Sequence, residues 1–249
     1  IESSQKLKWN NTNNFIKLPY TDATFDKIGI ERDFIVTEMR SREYAEDIAY
    51  THREGDGVDI YFISNQKDMN REVEVSLRVN SKVPEIWNPV NGKISDIGHW
   101  LTVGNRTVFT LNLAPNGSTF IVLRKSSENY KRKQEKLYKL STFTIDETPW
   151  NVQFDPQYRG PEKPVLFNEL TDWSKHEDEK IRYYSGIATY RNNFNLKFDK
   201  NTEYRISFDE ICNLAEVKIN GKSCGTLWTK PYSLDIKDAL RDGNNEIEI

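Results

Sequence analysis

The sequence predicts an all-β protein made of two β-sandwich domains. Three observations carry that reading. Val73, Val75, Leu77 and Val79 alternate with Glu74, Ser76 and Arg78, the period of a strand buried on one face. Ala215, Val217 and Ile219 alternate with Glu216 and Lys218 and run into Asn220-Gly221, two residues that both tolerate the positive φ of a tight hairpin. The chain has 249 residues, more than the roughly 100–200 of one domain. A polar, mostly charged stretch, Ser126 to Lys136, falls between two strand-rich halves.

In chain order, residues 1–30 are polar and irregular and read as the tail of an upstream domain. Within them, Asp22 to Ile28 suits a short helix, with Asp22 or Thr24 as its cap. Residues 31–126 form the first β domain. Asp47 to His52 is a strand candidate, Gly55-Asp56-Gly57 a turn, and Val58 to Ser64 the next strand. After the Val73–Val79 alternation, Glu85-Ile86-Trp87 runs into Asn88 to Gly92, whose Asn, Pro and Gly are turn chemistry. Val108–Leu113 and Thr119–Leu123 follow, joined through Pro115-Asn116-Gly117. Short strands at this spacing predict a sandwich of immunoglobulin-like size. Residues 127–144 read as a solvated linker, because Lys131, Arg132 and Lys133 are interleaved with Glu128 and Glu135.

Residues 145–249 form the second β domain. It opens with Trp150–Phe154 and passes through the charged Lys175–Lys180. A strand is expected through Tyr184–Tyr190, then alternations at Phe194, Leu196, Phe198 and at Tyr204, Ile206, Phe208. After the Asn220-Gly221 hairpin, Gly243-Asn244-Asn245 is expected to turn into the last strand. A two-residue turn would set Ile219 against Lys222 and Val217 against Cys224. Cys212 would then lie away from Cys224, so both cysteines are expected as free, mostly buried thiols.

The net charge of −3 opposes an electrostatic nucleic-acid binder, which needs a basic face. No apolar run approaches the ~20 residues of a membrane-spanning helix. The start at Ile1 and the strand-like Glu246–Ile249 suggest a piece of a longer protein.

Little in the chain is shaped for chemistry. His52, His99 and His176 are dispersed, and no Cys-x-x-Cys, His-Glu-x-x-His or phosphate loop occurs. No cofactor is expected. A structural calcium would need only loop oxygens, and Asp172, Glu177, Asp178 and Asp209 are available for one. Ser185-Gly186 lacks the nucleophile-elbow pattern, and Cys224 should point inward. Glycoside hydrolysis needs two carboxyl groups ~5–10 Å apart. Glu46, Asp47, Glu54 and Asp56 around His52-Arg53 make that segment the most chemical-looking one, with ordinary ion pairs on an exposed loop as the simpler account. Trp173, Tyr183, Tyr184, Trp228 and Tyr232 are the candidates for a carbohydrate platform, since sugars stack apolar C–H faces on such rings. Core packing is the competing role for each. On a strand, adjacent Tyr183 and Tyr184 would point to opposite faces.

Taken together, the motifs resemble a family. Gly29–Phe34, Tyr50-Thr-His-Arg53 with Asp59–Asn65, Pro84–Gly92 and Leu113–Val122 occur in order. Trp150–Phe154, Leu170–Trp173, Tyr184–Tyr190, the Asn220-Gly221 hairpin and Gly225–Tyr232 follow them. From about Gly29 to Ile249 the chain resembles the C-terminal part of bacterial glycoside hydrolases of the α-L-rhamnosidase type (family 106), with a family 2-type sugar-binding domain.

The resemblance implies a galactose-binding-like jelly roll over roughly 145–249. It implies that the parent's catalytic glutamates lie upstream, in a barrel domain that would be the main partner, and it transfers no catalytic residue to this chain. It also implies a periplasmic or extracellular setting in a bacterium, and polysaccharide of plant or host origin as the parent's substrate. Three roles follow: an accessory region of a sugar-cleaving enzyme, an autonomous carbohydrate-binding module, or a purely structural pair of sandwiches.

Overall fold

The computed structural model describes residues 29–128, 140–145 and 148–249. The short helix expected at 22–28, the tail over 1–28 and most of the expected linker lie outside the described residues. The chain divides into two compact units, Ile1–Lys136 and Leu137–Ile249, and the architecture is all-β.

Among the described residues, the first unit holds nine strands: β1 (Phe34–Glu38), β2 (Ile48–Gly55), β3 (Val58–Asn65), β4 (Arg71–Leu77), β5 (Lys82–Trp87), β6 (Ile94–Asp96), β7 (Trp100–Val103), β8 (Arg106–Leu113) and β9 (Ser118–Ser126). They form two antiparallel sheets, ordered β1-β4-β8-β7 and β2-β3-β9-β5-β6. Strand alternation decides what meets between them. Val73, Val75 and Leu77 on β4 are fully buried while Glu72 faces water, and Tyr61 and Ile63 on β3 are buried likewise. These side chains join Phe34, Val36, Phe109, Ile121 and Leu123 in one core, the sandwich that the spacing predicts. Asp56 and Gly57, with φ of 51° and 74°, make the expected β2–β3 turn.

Two ion networks sit on this frame. Arg71, 6% exposed, reaches Glu38 through Nε at 2.9 Å and Asp47 through Nη1 at 2.5 Å, and Lys67 closes on Asp47 at 2.5 Å. The Lys67 ammonium above all holds the Asp47 carboxyl down at about 2, with burial opposing and Arg71 assisting. Glu85 is fully buried between Arg124 (2.7 Å) and Lys125 (2.5 Å). Burial works against its charge, yet the two cations hold its carboxyl below the usual range. Adjacent residues on a regular strand point to opposite faces. Arg124 and Lys125 both reach Glu85 because the β5–β9 register shifts between Val83 and Pro84, leaving Arg124 as the extra residue of a bulge.

The second unit contains β10 (Trp150–Phe154), β11 (Val165–Phe167), the single-turn helix α1 (Glu179–Arg182), β12 (Ala188–Leu196), β13 (Arg205–Ser207), β14 (Ala215–Ile219), β15 (Lys222–Leu227), β16 (Ser233–Asp235) and β17 (Gly243–Glu248). A six-stranded sheet runs β11-β10-β12-β17-β14-β15, and β13 pairs with β16. Val152, Phe154, Val217, Ile219 and Ile247 are fully buried and pack with Ile206 of the smaller sheet and with Ile236, which follows β16.

Asn220 and Gly221 form the expected turn at φ of 53° and 76°, and Ile219 does face Lys222. Beyond that the register departs from expectation. Val217 faces Gly225, because a bulge inserts Cys224. Gly225 sits at φ 132° with its missing Cβ 3.1 Å from Leu234, so a side chain there is excluded twice over. The thiols are free as expected, but Cys212 is exposed and Cys224 only half-buried. The irregular segment before β14 leaves Cys212 in solvent, and Cys224, in the bulge, packs only partly against the core.

Two other local readings also change. Tyr184–Gly186 do not extend β12; Tyr183 and Tyr184 follow α1, which Asp178 caps by accepting from Lys180 N at 2.8 Å. Gly243–Asn245 already belongs to β17, where fully buried Asn245 donates to the Arg241 and Gly243 carbonyls and accepts from Asn220.

Candidate functional site

Along the inner face of the β2–β3 ladder the facing pairs run Ile48–Asn65, Tyr50–Ile63, His52–Tyr61 and Glu54–Asp59. The face therefore turns from apolar to ionic as it approaches the hairpin tip. At that end the strands stop, and Asp33 before β1, Arg78 to Asn80 between β4 and β5, Lys82 at the start of β5, and Asn105 before β8 converge with it on a cleft of about 630 Å³.

Its floor is a chain of paired charges. The His52 ring presents Nδ1 to Asp33 Oδ2 at 2.9 Å and Nε2 to Asp59 Oδ1 at 3.1 Å. The same ring lies flat on Tyr61, with centroids 3.9 Å apart and planes within 10°. The Tyr61 hydroxyl donates to Asp33 Oδ1 at 3.0 Å. Lys82 Nζ donates to Asp59 Oδ2 at 2.6 Å and to the Gly57 carbonyl at 2.7 Å. Arg106 donates to the carbonyls of Arg32, Asp33 and Ser76, fixing the backbone that carries Asp33.

The Asp59 side chain is only 6% exposed. A carboxylate that deep persists because each oxygen has a cationic or imidazole partner. Burial first, then the Asp33 charge, pushes the Tyr61 phenol well above its ordinary value, so it remains a neutral donor. The arrangement can hold a fixed array of hydrogen-bond acceptors and donors at a solvent-facing hollow.

The carboxylates that the sequence set around His52 do not come together. Asp47 and Glu54 lie at opposite ends of β2, about 23 Å apart at ~3.3 Å per residue, well beyond the ~5–10 Å of a glycosidase pair. Asp47 belongs to the Arg71 network and Asp56 to the turn. The partners His52 does have, Asp33 and Asp59, were missed because one lies on another segment and the other across the hairpin. One signal was available: Asp59 and Tyr61 share the parity of buried Ile63 on β3, so a polar residue occupies an inward position.

In the second unit, the five candidate aromatics separate. Tyr184 is 8% exposed; its hydroxyl donates to the Ile187 carbonyl at 2.7 Å and accepts from Asp155 N at 3.1 Å. Half-buried Trp173 packs edge-on against Phe154 and Tyr184 at 5.5 and 5.6 Å and donates its indole N–H to the Tyr190 hydroxyl. Tyr232 is half-buried against the same core. Tyr183 and Trp228, 74% and 55% exposed, face water, with Arg182 5.7 Å over the Tyr183 ring.

Among the acids considered for calcium, Asp172 and Asp178 accept backbone N–H groups of the next turn. No group of three or more His, Cys, Asp or Glu side chains gathers as a metal site among the described residues. A hollow of similar size at Lys197–Lys200 is lined by one backbone turn, whose Asp199 is spent on Asn201 N.

Residues 4–100 match the family model described as alpha-L-rhamnosidase, and residues 168–249 match that of the glycosyl hydrolase 2 galactose-binding domain-like family. This is a glycosidase-related chain. The family resemblance inferred from the motifs is correct. The charged floor of the cleft lies in the first matched stretch, and all five aromatics lie in the second.

The structure of a rhamnosidase from Novosphingobium sp. PP1Y superposes with a TM-score of 0.80 at 28% identity, over 91% of this chain. A Formosa agariphila protein named "Putative beta-glucuronidase" is 35% identical over 103 residues, 40% of this chain. The chain spans 21% of that rhamnosidase and 9% of the Formosa protein. No helix among the described residues is long and apolar enough to cross a membrane.

Proposed function

We propose that this chain is the non-catalytic accessory region of an α-L-rhamnosidase-like glycoside hydrolase. It buttresses a separate catalytic domain and contributes contacts to the polysaccharide, in a periplasmic or extracellular setting. The observation that carries the reading is the close superposition on about a fifth of a rhamnosidase, by a chain whose described residues form two β units. Such units stack strands around apolar cores and leave the chemistry to another domain. The test is hydrolysis of aryl α-L-rhamnosides and aryl β-glucuronides by the purified 249-residue chain. We expect none, and measurable turnover would end the proposal.

A second reading has its own support. Tyr183 and Trp228 stand in solvent on a galactose-binding-like domain, as an autonomous carbohydrate-binding module requires. Under that reading the chain alone is retained on an insoluble polysaccharide, and Trp228→Ala releases it.

A further inference from the structure

We infer that the cleft at the hairpin end of the first unit binds a neutral sugar residue through its hydroxyls. The choice of a sugar rests on the glycoside hydrolase reading above; the site itself rests on geometry.

The Arg71 network of the same unit supplies a contrast. Around Arg71, Glu38 and Asp47 close on the guanidinium and Lys67 closes on Asp47, so each charge has an ion-pair partner. Around His52 the floor is closed in the same way, yet the rim is open. Glu54 and Asn80 line the cleft with no intramolecular side-chain partner among the described residues. Arg78 is 44% exposed and only its Nε approaches Asp33, at 3.8 Å. These rim groups face water in the free chain, and they ring a cavity of ligand size, ~300–1,000 Å³.

The chemistry of the lining selects the ligand class. Asp33, Glu54 and Asp59 face Arg78 and Lys82, so no surplus positive charge is left to attract a carboxylate or phosphate. Val79 is the one apolar residue of the lining among the described residues, too little for an apolar ligand. What remains is an alternation of carboxylate acceptors with amide and guanidinium donors. Hydroxyl groups, each donor and acceptor at once, complement that pattern. A metal ion does not, because His52 stands between Asp33 and Asp59 and holds them on opposite sides of its ring. Tyr61 and Arg106 set the floor before any ligand arrives, which limits the entropy lost on binding.

The experiment is a titration of the isotope-labelled chain, followed by backbone amide shifts. The probes are L-rhamnose, D-galactose, D-glucose and D-xylose, then D-glucuronate and inorganic phosphate. At least one neutral sugar should give saturable millimolar shifts centred on Glu54, Asn80 and Asn105. Asn80→Ala, at an exposed position, should weaken that binding about tenfold, the worth of one good hydrogen bond, and leave amides outside the cleft unmoved. Trp228→Ala should not alter it.

The inference is overturned if no neutral sugar moves the cleft, or if glucuronate or phosphate binds there more tightly than every neutral sugar. Shifts confined to the surroundings of Tyr183 and Trp228 also overturn it, while leaving sugar contact by the second unit intact. Turnover of aryl glycosides would remove the accessory reading and leave the titration result standing.

Discussion

Each unit buries a tyrosine whose hydroxyl is fully employed, and the two are employed differently. Tyr61 donates to the Asp33 carboxylate, beneath a histidine that bridges to a second acid. Tyr184 spans two backbone groups, the Asp155 N–H and the Ile187 carbonyl, inside a ring cluster with Phe154 and Trp173. The first ties its hydroxyl to charge, beneath the floor of a cleft. The second ties it to main chain and pins a loop. A carboxylate partner brings charge within reach of a ligand; a backbone clasp does not. A buried hydroxyl alone therefore says little about role, and its partner says most.

The harshest way to break the contrast is Phe154→Ala. Phe154 is fully buried at the centre of the ring cluster, and its loss should cost about 4 kcal/mol. Guanidinium unfolding, followed through amides of the second unit, measures this. A loss below about 1 kcal/mol would mean that the rings are not what holds the loop.

The next comparison sets Tyr61→Phe against Tyr184→Phe, each expected to cost about 2 kcal/mol at neutral pH. They should part in alkali. The Tyr61 phenol is raised in the folded state, so folding retains its proton. That stability is complete below the unfolded value near ~10 and drains away as pH climbs above it. The parent and Tyr184→Phe should both lose stability above that pH, and Tyr61→Phe should lose less. Equal alkaline slopes in all three would show that Asp33 does not act on Tyr61 as the geometry says.

On the acid side, Asp47 is depressed to about 2. A lowered carboxyl contributes stability above its unfolded value near ~3.9 and loses it as pH falls toward 2. Asp47→Asn should remove about 1 kcal/mol at pH 7, after allowance for solvent screening, and flatten the unfolding curve between roughly pH 4 and 2. The smallest effect is expected at Trp228→Ala: within about 0.5 kcal/mol on stability, since the ring is 55% exposed. A larger loss would make Trp228 a packing residue and weaken the module reading.

Much of the architecture could be read in advance because it depends on local pattern. The β4 alternation and the Asn220-Gly221 turn both stand where the sequence sets them. What escaped was relational. Tyr183 and Tyr184 read as strand because nothing in their own identity reveals that Asp178 caps a helical turn just before them. Val217 was set against Cys224 because a period-two rule cannot see a bulge; Gly225, with its φ of 132°, was the clue. His52 was singled out, but with its neighbours in sequence rather than with Asp33 and Asp59, which reach it from elsewhere. Inward parity of Asp59 beside Tyr61 is the readable trace of that site.

The Cys224–Gly225 bulge lies on β15, one of the two edge strands of the six-stranded sheet among the described residues. A straight outer strand offers a row of free N–H and C=O groups that another chain can continue, the beginning of cross-β stacking. An inserted residue breaks the repeat of those groups and increases the local twist. The same irregularity that spoils the expected register thus limits the sheet at its sixth strand and disfavours edge-to-edge self-association. Restoring a regular β15 would turn a protected margin into an adhesive one.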